Sequence, residues 1–139
     1  MDIVFLDSSF LLAVQLSDDI NHPVASKFWA KLADDVPEIV TTSFVFAETT
    51  ALLNGRGFHR AAKEVGNDLL TNPDFELVFV ERDLFDAGWK YLERHEDKRY
   101  SFADCVSFVL MERRGISTVL TFDRHFAQAG FEMVPKVKG

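Results

Sequence analysis

The stretch YSFADCVSFVLMERRGISTVLTFDRHF, residues 100–126, decides how the chain is read. Ser101 is placed to cap a helix, and Phe102 through Met111 is almost wholly apolar, with Asp104 in the first turn. Arg113 and Arg114 put cations in the last turn and Gly115 follows, the composition of a helix C-terminus. Ile116 to Phe122 is short, apolar and rich in β-branched residues, which predicts a strand covered on both faces. Asp123 comes directly after it. The helix start and the C-terminal end of the strand can therefore each deliver one carboxylate to the same rim of a sheet. In open α/β sheets that rim is where ligands bind.

Working outward, the same alternation fills the chain. Ile3 to Leu6 predicts a strand ending at Asp7, and Ser8 and Ser9 start a helix to about Leu16. His22-Pro23 opens a second helix to about Ala33, with proline in its first turn. A strand is expected over Val36 to Thr41, then a helix over Ser43 to Leu53 carrying Glu48, stopped by Asn54-Gly55-Arg56-Gly57. His59 to Leu70 is a helix, Phe75 to Val80 a strand, and Asp83 to Arg94 a helix. The run Glu93 to Arg99 reads as a solvated charged connector. A helical turn near Phe126, a strand over Phe131 to Val134 and a basic tail from Lys136 to Gly139 complete the chain. Short apolar strands alternating with helices predict an α/β fold: an α/β/α sandwich whose central parallel sheet has four to five short strands with helices on both faces.

A length of 139 residues suits a single domain, 1–139, and 47% hydrophobic residues can supply a sizeable core. Most of the fourteen phenylalanines are expected inside. No apolar run is long enough to span a bilayer, and the N-terminus lacks the basic and apolar regions of a signal peptide, so the chain is expected in the cytoplasm. Cys105 is the only cysteine, which excludes a disulfide framework and a cysteine zinc site. A formal charge of −7 argues against a protein that grips nucleic acid with a basic surface. It is compatible with an enzyme that meets phosphate through metal ions, because metal-binding carboxylates are themselves negative.

Four acids stand out because their neighbours are apolar: Asp7, Glu48, Asp104 and Asp123. Asp and Glu are almost never fully buried unless paired, and Arg124 is the only cation close by in the same elements. Four converging carboxylates would raise one another's pKa values. Mg²⁺ or Mn²⁺ relieves that repulsion, taking oxygen ligands and retaining waters. Such a site suits phosphodiester hydrolysis, in which the metal activates a water and stabilises the developing charge. Each acid also has a plain structural reading. Asp7 can cap the first helix, Asp104 can complete a capping box with Ser101, and Asp123 can open a turn. Glu48 caps nothing. Other chemistries fit worse: there is no HExxH among the four histidines, no GxSxG elbow and no Walker A loop.

With these segments in view, IVFLDSSFLL, TTSFVFAETTALL, YSFADCVSFVLMERRGI and STVLTFDRHFAQAGF, the chain resembles the PIN-domain family, specifically the VapC-like ribonuclease toxins of toxin–antitoxin pairs. The four segments occur in the family's order and spacing. The resemblance implies a Mg²⁺- or Mn²⁺-dependent endoribonuclease with Asp7, Glu48, Asp104 and Asp123 around the metal. It also implies Ser9 and Thr121 as polar supports, a homodimer, and a cognate antitoxin that blocks the site. Many members carry Asp or Asn two residues after the fourth acid; here that position is His125, which places a second metal position in question. Arg56, Arg60, Lys98, Arg99, Arg124 and His125 are candidate RNA contacts, with scattered solubilising charge as the alternative. Two other functions compete. One is a haloacid-dehalogenase-like phosphohydrolase, which needs a second Asp where this chain has Ser9. The other is a degenerate PIN module that only binds RNA or protein.

Overall fold

A computed structural model describes residues 1–137. Lys138 and Gly139 of the expected basic tail lie outside the described residues.

The chain runs β1 (Ile3–Leu6), α1 (Ser8–Gln15), α2 (His22–Leu32), β2 (Glu38–Thr42), α3 (Ser43–Gly55), α4 (His59–Thr71), β3 (Phe75–Val78), α5 (Arg82–Arg94), α6 (Phe102–Arg114), β4 (Thr118–Leu120), α7 (His125–Gln128) and β5 (Glu132–Val134). All four strand pairings are parallel and the sheet order is β3-β2-β1-β4-β5. Strand existence and order match the sequence reading, and the ends are shorter. β3 stops at Val78 instead of Val80. The segment expected as strand from Ile116 to Phe122 pairs only over Thr118–Leu120. Beyond Leu120 the Thr121 amide still donates to Val134 O at 3.1 Å, but the Thr121 hydroxyl and the Phe122 amide bond at the rim, described below, so Asp123 does not follow the strand directly.

The topology places the site. From β1 the chain winds outward through β2 to β3, then crosses back over both to start β4 on the other side of β1. Right-handed crossovers put the helices of the two windings on opposite faces. The helix contacts agree: α1 to α4 pack together, and α5 packs on α6. The reversal between β1 and β4 opens a crevice at their C-terminal ends, the position at which such sheets bind ligands.

α6 is the central helix: Asp104 through Met111 is buried without interruption. Ser101 caps it, accepting from the Asp104 amide, and Gly115 ends it at φ 65°, a left-handed conformation that glycine adopts without a Cβ penalty. α5 approaches so closely that a Cβ on Gly88 would stand 2.6 Å from Val106 Cγ2 and 3.1 Å from its Cα. Phe5, Phe10, Phe108 and Phe126 are fully enclosed. Phe58, Phe79 and Phe85 are exposed, so the expectation for phenylalanine holds for part of the set. Edge-to-face contacts link Tyr100 to Phe108 and Phe108 to Phe126, each at 5.0 Å, and Phe126 meets Phe5 at 6.4 Å. This aromatic chain ties α6 and α7 to β1, and so holds three acid-bearing segments in one frame.

Candidate active site

β1 and β4 are neighbours with Leu6 opposite Leu120. One step further, the Asp7 amide still donates to Leu120 O at 3.1 Å. Asp7 therefore meets Thr121 at the rim. Thr121 Oγ1 donates to Asp7 Oδ2 at 2.7 Å, and Ser9 Oγ donates to the same oxygen at 2.8 Å. The two hydroxyls also receive bonds from the next turn: Phe122 N donates to Ser9 Oγ and Asp123 N to Thr121 Oγ1, both at 3.0 Å. The backbone that leaves β4 is thus folded around Asp7. The Ser9 amide, 3.4 Å from Oδ2, makes Asp7 the N-cap of α1 as well. The capping reading is met, and the same carboxylate also faces the rim; among the described residues, the group whose ligand atoms converge within 4.8 Å is Asp104, Asp123 and His125, without Asp7 or Glu48.

Asp104 has the same double character. Its Oδ2 accepts from the Ser101 amide at 3.3 Å, completing the capping box, and lies 3.2 Å from His125 Nδ1. Asp123 Oδ1 accepts from the His125 amide at 2.9 Å and is 3.4 Å from the same Nδ1. Ligand atoms of Asp104, Asp123 and His125 all lie within 4.8 Å of one another. The Tyr100 ring stands edge-on to the imidazole at 5.4 Å.

Glu48 differs from the other three. The apolar residues around it in sequence suggest a buried face, but α3 buries Val45, Thr49 and Leu53, and Glu48 is exposed. A helix this rich in apolar residues leaves Ala47, Ala51 and Leu52 at the surface too, so apolar neighbours did not mean burial. Glu48 reaches the rim through Ser8, whose hydroxyl donates to its Oε1. That role for Ser8 went unread, since a serine that begins a helix looks like a cap. His125 has partners that the sequence does not show. Placed among RNA contacts from sequence, it turns inward onto two acids. The signal was local: an Asp side chain commonly accepts the amide two residues on, which folds the following residue back over it. Arg56, Arg99 and Arg124 are exposed and form no ion pair among the described residues.

Burial pushes the Asp7 carboxyl up to about 6, the charges of Asp104 and Asp123 add to it, and the Thr121 and Ser9 hydroxyls oppose it. Burial, then the Asp123 charge, raises Asp104, while His125 and the Ser101 amide hold it down. No Lys or Arg among the described residues pairs with any of the four acids. Asp7 Oδ1, Asp104 Oδ1 and Asp123 Oδ2 accept no hydrogen bond from the described residues. Each acid is anchored by one oxygen and offers the other. A hard divalent cation fits this donor set: it takes carboxylate oxygens and removes the like-charge repulsion.

Known proteins resemble this chain in sequence and in fold. The sequence model of the PIN domain matches residues 4–132. The chain is 36% identical over 129 residues to the 23S rRNA-specific endonuclease VapC20 in two strains of Mycobacterium tuberculosis, covering 93% of this chain and 95% of the relative. The crystal structure of that VapC20, described as a sarcin-ricin loop cleaving toxin, superposes with a TM-score of 0.83 at 34% identity, over 92% of this chain and 95% of that one. PAE2754 from Pyrobaculum aerophilum shares the fold alone, with a TM-score of 0.65 at 16% identity over 96% of this chain and 91% of that one. The chain belongs to the PIN-domain family, in its VapC-like ribonuclease toxin branch.

Proposed function

We propose that this protein is a metal-dependent endoribonuclease in which Asp7, Glu48, Asp104 and Asp123 hold Mg²⁺ or Mn²⁺ at the β1/β4 crevice. The observation that carries this is the division of labour within the carboxylates: one oxygen tied down, the other free, with no Lys or Arg to neutralise them. When bound, the cation supplies positive charge to the scissile phosphate and lowers the pKa of a water that attacks phosphorus. The protein's own part is positioning. Thr121 and Ser9 fix Asp7 in one rotamer, and the capping box fixes Asp104 at the helix start. The exposed Glu48 has room to accept a proton from the attacking water. Exposed Arg56, Arg99 and Arg124 are candidates to pair with RNA phosphates beyond the cleaved bond.

The identity to VapC20 across nearly the whole chain supports a toxin acting on structured ribosomal RNA, with 23S rRNA as the first substrate to test. An RNA target of that kind supports a cytoplasmic enzyme; among the described residues no helix is long and apolar enough to cross a membrane. A cognate antitoxin, a homodimer, and one PIN-like domain spanning residues 1–139 complete the proposal. Cleavage of 23S rRNA fragments should occur with Mn²⁺ or Mg²⁺ and stop with a chelator, while a small phosphate ester stays intact. Chelator-resistant cleavage would remove the metal from the reading. Ester hydrolysis without RNA cleavage would replace it with a phosphohydrolase. Relief of growth arrest by the product of the adjacent upstream gene would support the antitoxin, and a chain harmless at high expression would count against the toxin.

A further inference from the structure

We propose that His125 is itself a ligand of the cation, through Nδ1, and that this nitrogen shifts the site's preference from Mg²⁺ toward Mn²⁺. The inference rests on the reading that Asp104 and Asp123 hold a divalent cation. Nδ1 stands 3.2 Å from Asp104 Oδ2 and 3.4 Å from Asp123 Oδ1. Ligand atoms of Asp104, Asp123 and His125 lie within 4.8 Å of one another, and an octahedral cation with bonds of about 2.0–2.1 Å spaces its ligands about 3 Å apart when adjacent and about 4 Å when opposite, so Nδ1 stands within reach of a cation held between the two acids.

The ring is held there from two sides. Its own backbone amide is tied to Asp123 Oδ1 at 2.9 Å, and Tyr100 packs edge-on against it. The side chain is only 29% exposed. A cation that enters between Asp104 and Asp123 therefore meets Nδ1 at contact distance and either uses it or must expel it from a packed position. Using it requires the tautomer with its proton on Nε2. Carboxylate and water oxygens suit Mg²⁺, whereas imidazole favours metals further along the first transition row. A three-oxygen site at this rim would not discriminate in that way; two carboxylates and an imidazole do.

The test needs no turnover. Pulsed EPR of the purified full-length protein with one equivalent of Mn²⁺ should show the ¹⁴N coupling of a directly bound imidazole, and His125→Asp should lose it. Calorimetric titrations with Mg²⁺ and with Mn²⁺ should show the Mg²⁺/Mn²⁺ ratio of Kd falling about tenfold in His125→Asp, equivalent to ~1.4 kcal/mol, because an oxygen donor replaces nitrogen. Bound Mn²⁺ with no ¹⁴N coupling in the parent would overturn the inference and leave the carboxylate site standing. An unchanged ratio in His125→Asp would do the same. A parent that binds neither ion would remove the metal reading itself, and this inference with it.

Discussion

Two walls of the same crevice hold their acids in opposite ways. On the β1/β4 side, Asp7 is 5% exposed and braced by two hydroxyls that are themselves tied to the departing backbone. On the α3 side, Glu48 is exposed and held by the Ser8 hydroxyl. The first arrangement fixes a carboxylate where its charge is unfavourable, which is why Asp7 is pushed up to about 6. The second leaves a carboxylate open to solvent, with one oxygen tied to Ser8. A crevice built this way has one buried anchor whose charge is unfavourable in the metal-free fold and one exposed acid with little bearing on the fold. Removing the charge should therefore leave the metal-free fold as stable or more stable at Asp7 and unchanged at Glu48, with cleavage falling at both.

Asp7→Asn gives the largest expected effect. RNA cleavage should fall by more than the roughly 10–100-fold that loss of an outer-shell partner costs. Melting in EDTA at pH 7.5 should show the variant as stable as the parent or more stable, by up to about 3 kcal/mol. That bound is the rise of about two pKa units converted at 1.36 kcal/mol per unit. Asn caps α1 about as well as Asp. A variant that loses several kcal/mol, or cleaves normally, would make Asp7 a structural residue.

The pH dependence tests the same wall without RNA. A carboxyl whose pKa is raised on folding contributes stability that is complete below its unfolded value of 3.8 and is lost as pH rises through about 6. The stability of Asp7→Asn relative to the parent in EDTA should therefore grow from pH 4 to pH 7. A flat difference across that range would mean that Asp7 ionises in the native protein as easily as in the unfolded chain.

Thr121→Val should cost both properties, which distinguishes it from Asp7→Asn. The half-buried Asp123 amide loses its acceptor and the buried Asp7 carboxylate one donor, so stability should fall by about 1–3 kcal/mol. Cleavage should drop roughly 10–100-fold. Chemical denaturation beside the RNA assay reads both; unchanged stability would show that other donors replace the hydroxyl.

Glu48→Gln is the smallest perturbation of the fold. Its EDTA melting should match the parent within about 0.5 kcal/mol, as for surface changes in general, while cleavage falls. Destabilisation on the scale of a buried site would remove the contrast between the two walls.

Much of the fold was legible beforehand. The alternation of apolar strands and helices predicted the parallel sheet, and Ser101, Asp104 and Gly115 marked α6 to within a residue of its ends. These signals are local: caps, glycine φ and hydrophobic period act over a turn or two of chain. The four acids were legible for a related reason, since each interrupts an apolar segment. Beyond that reach local pattern misled. Glu48 looked buried because apolar residues surround it along the chain, yet burial depends on which face of α3 meets its neighbours. His125 stood beside the rim as a candidate RNA contact, and its place against two acids from different elements was not readable from the chain. Sequence order specified which elements exist and which carboxylates stand at their ends. The burial of Asp7, the exposure of Glu48 and the partners of His125 depend on placing β4 beside β1 and packing α6 across them. Those contacts join residues as far apart as 7 and 121, and no local propensity encodes a separation of that kind.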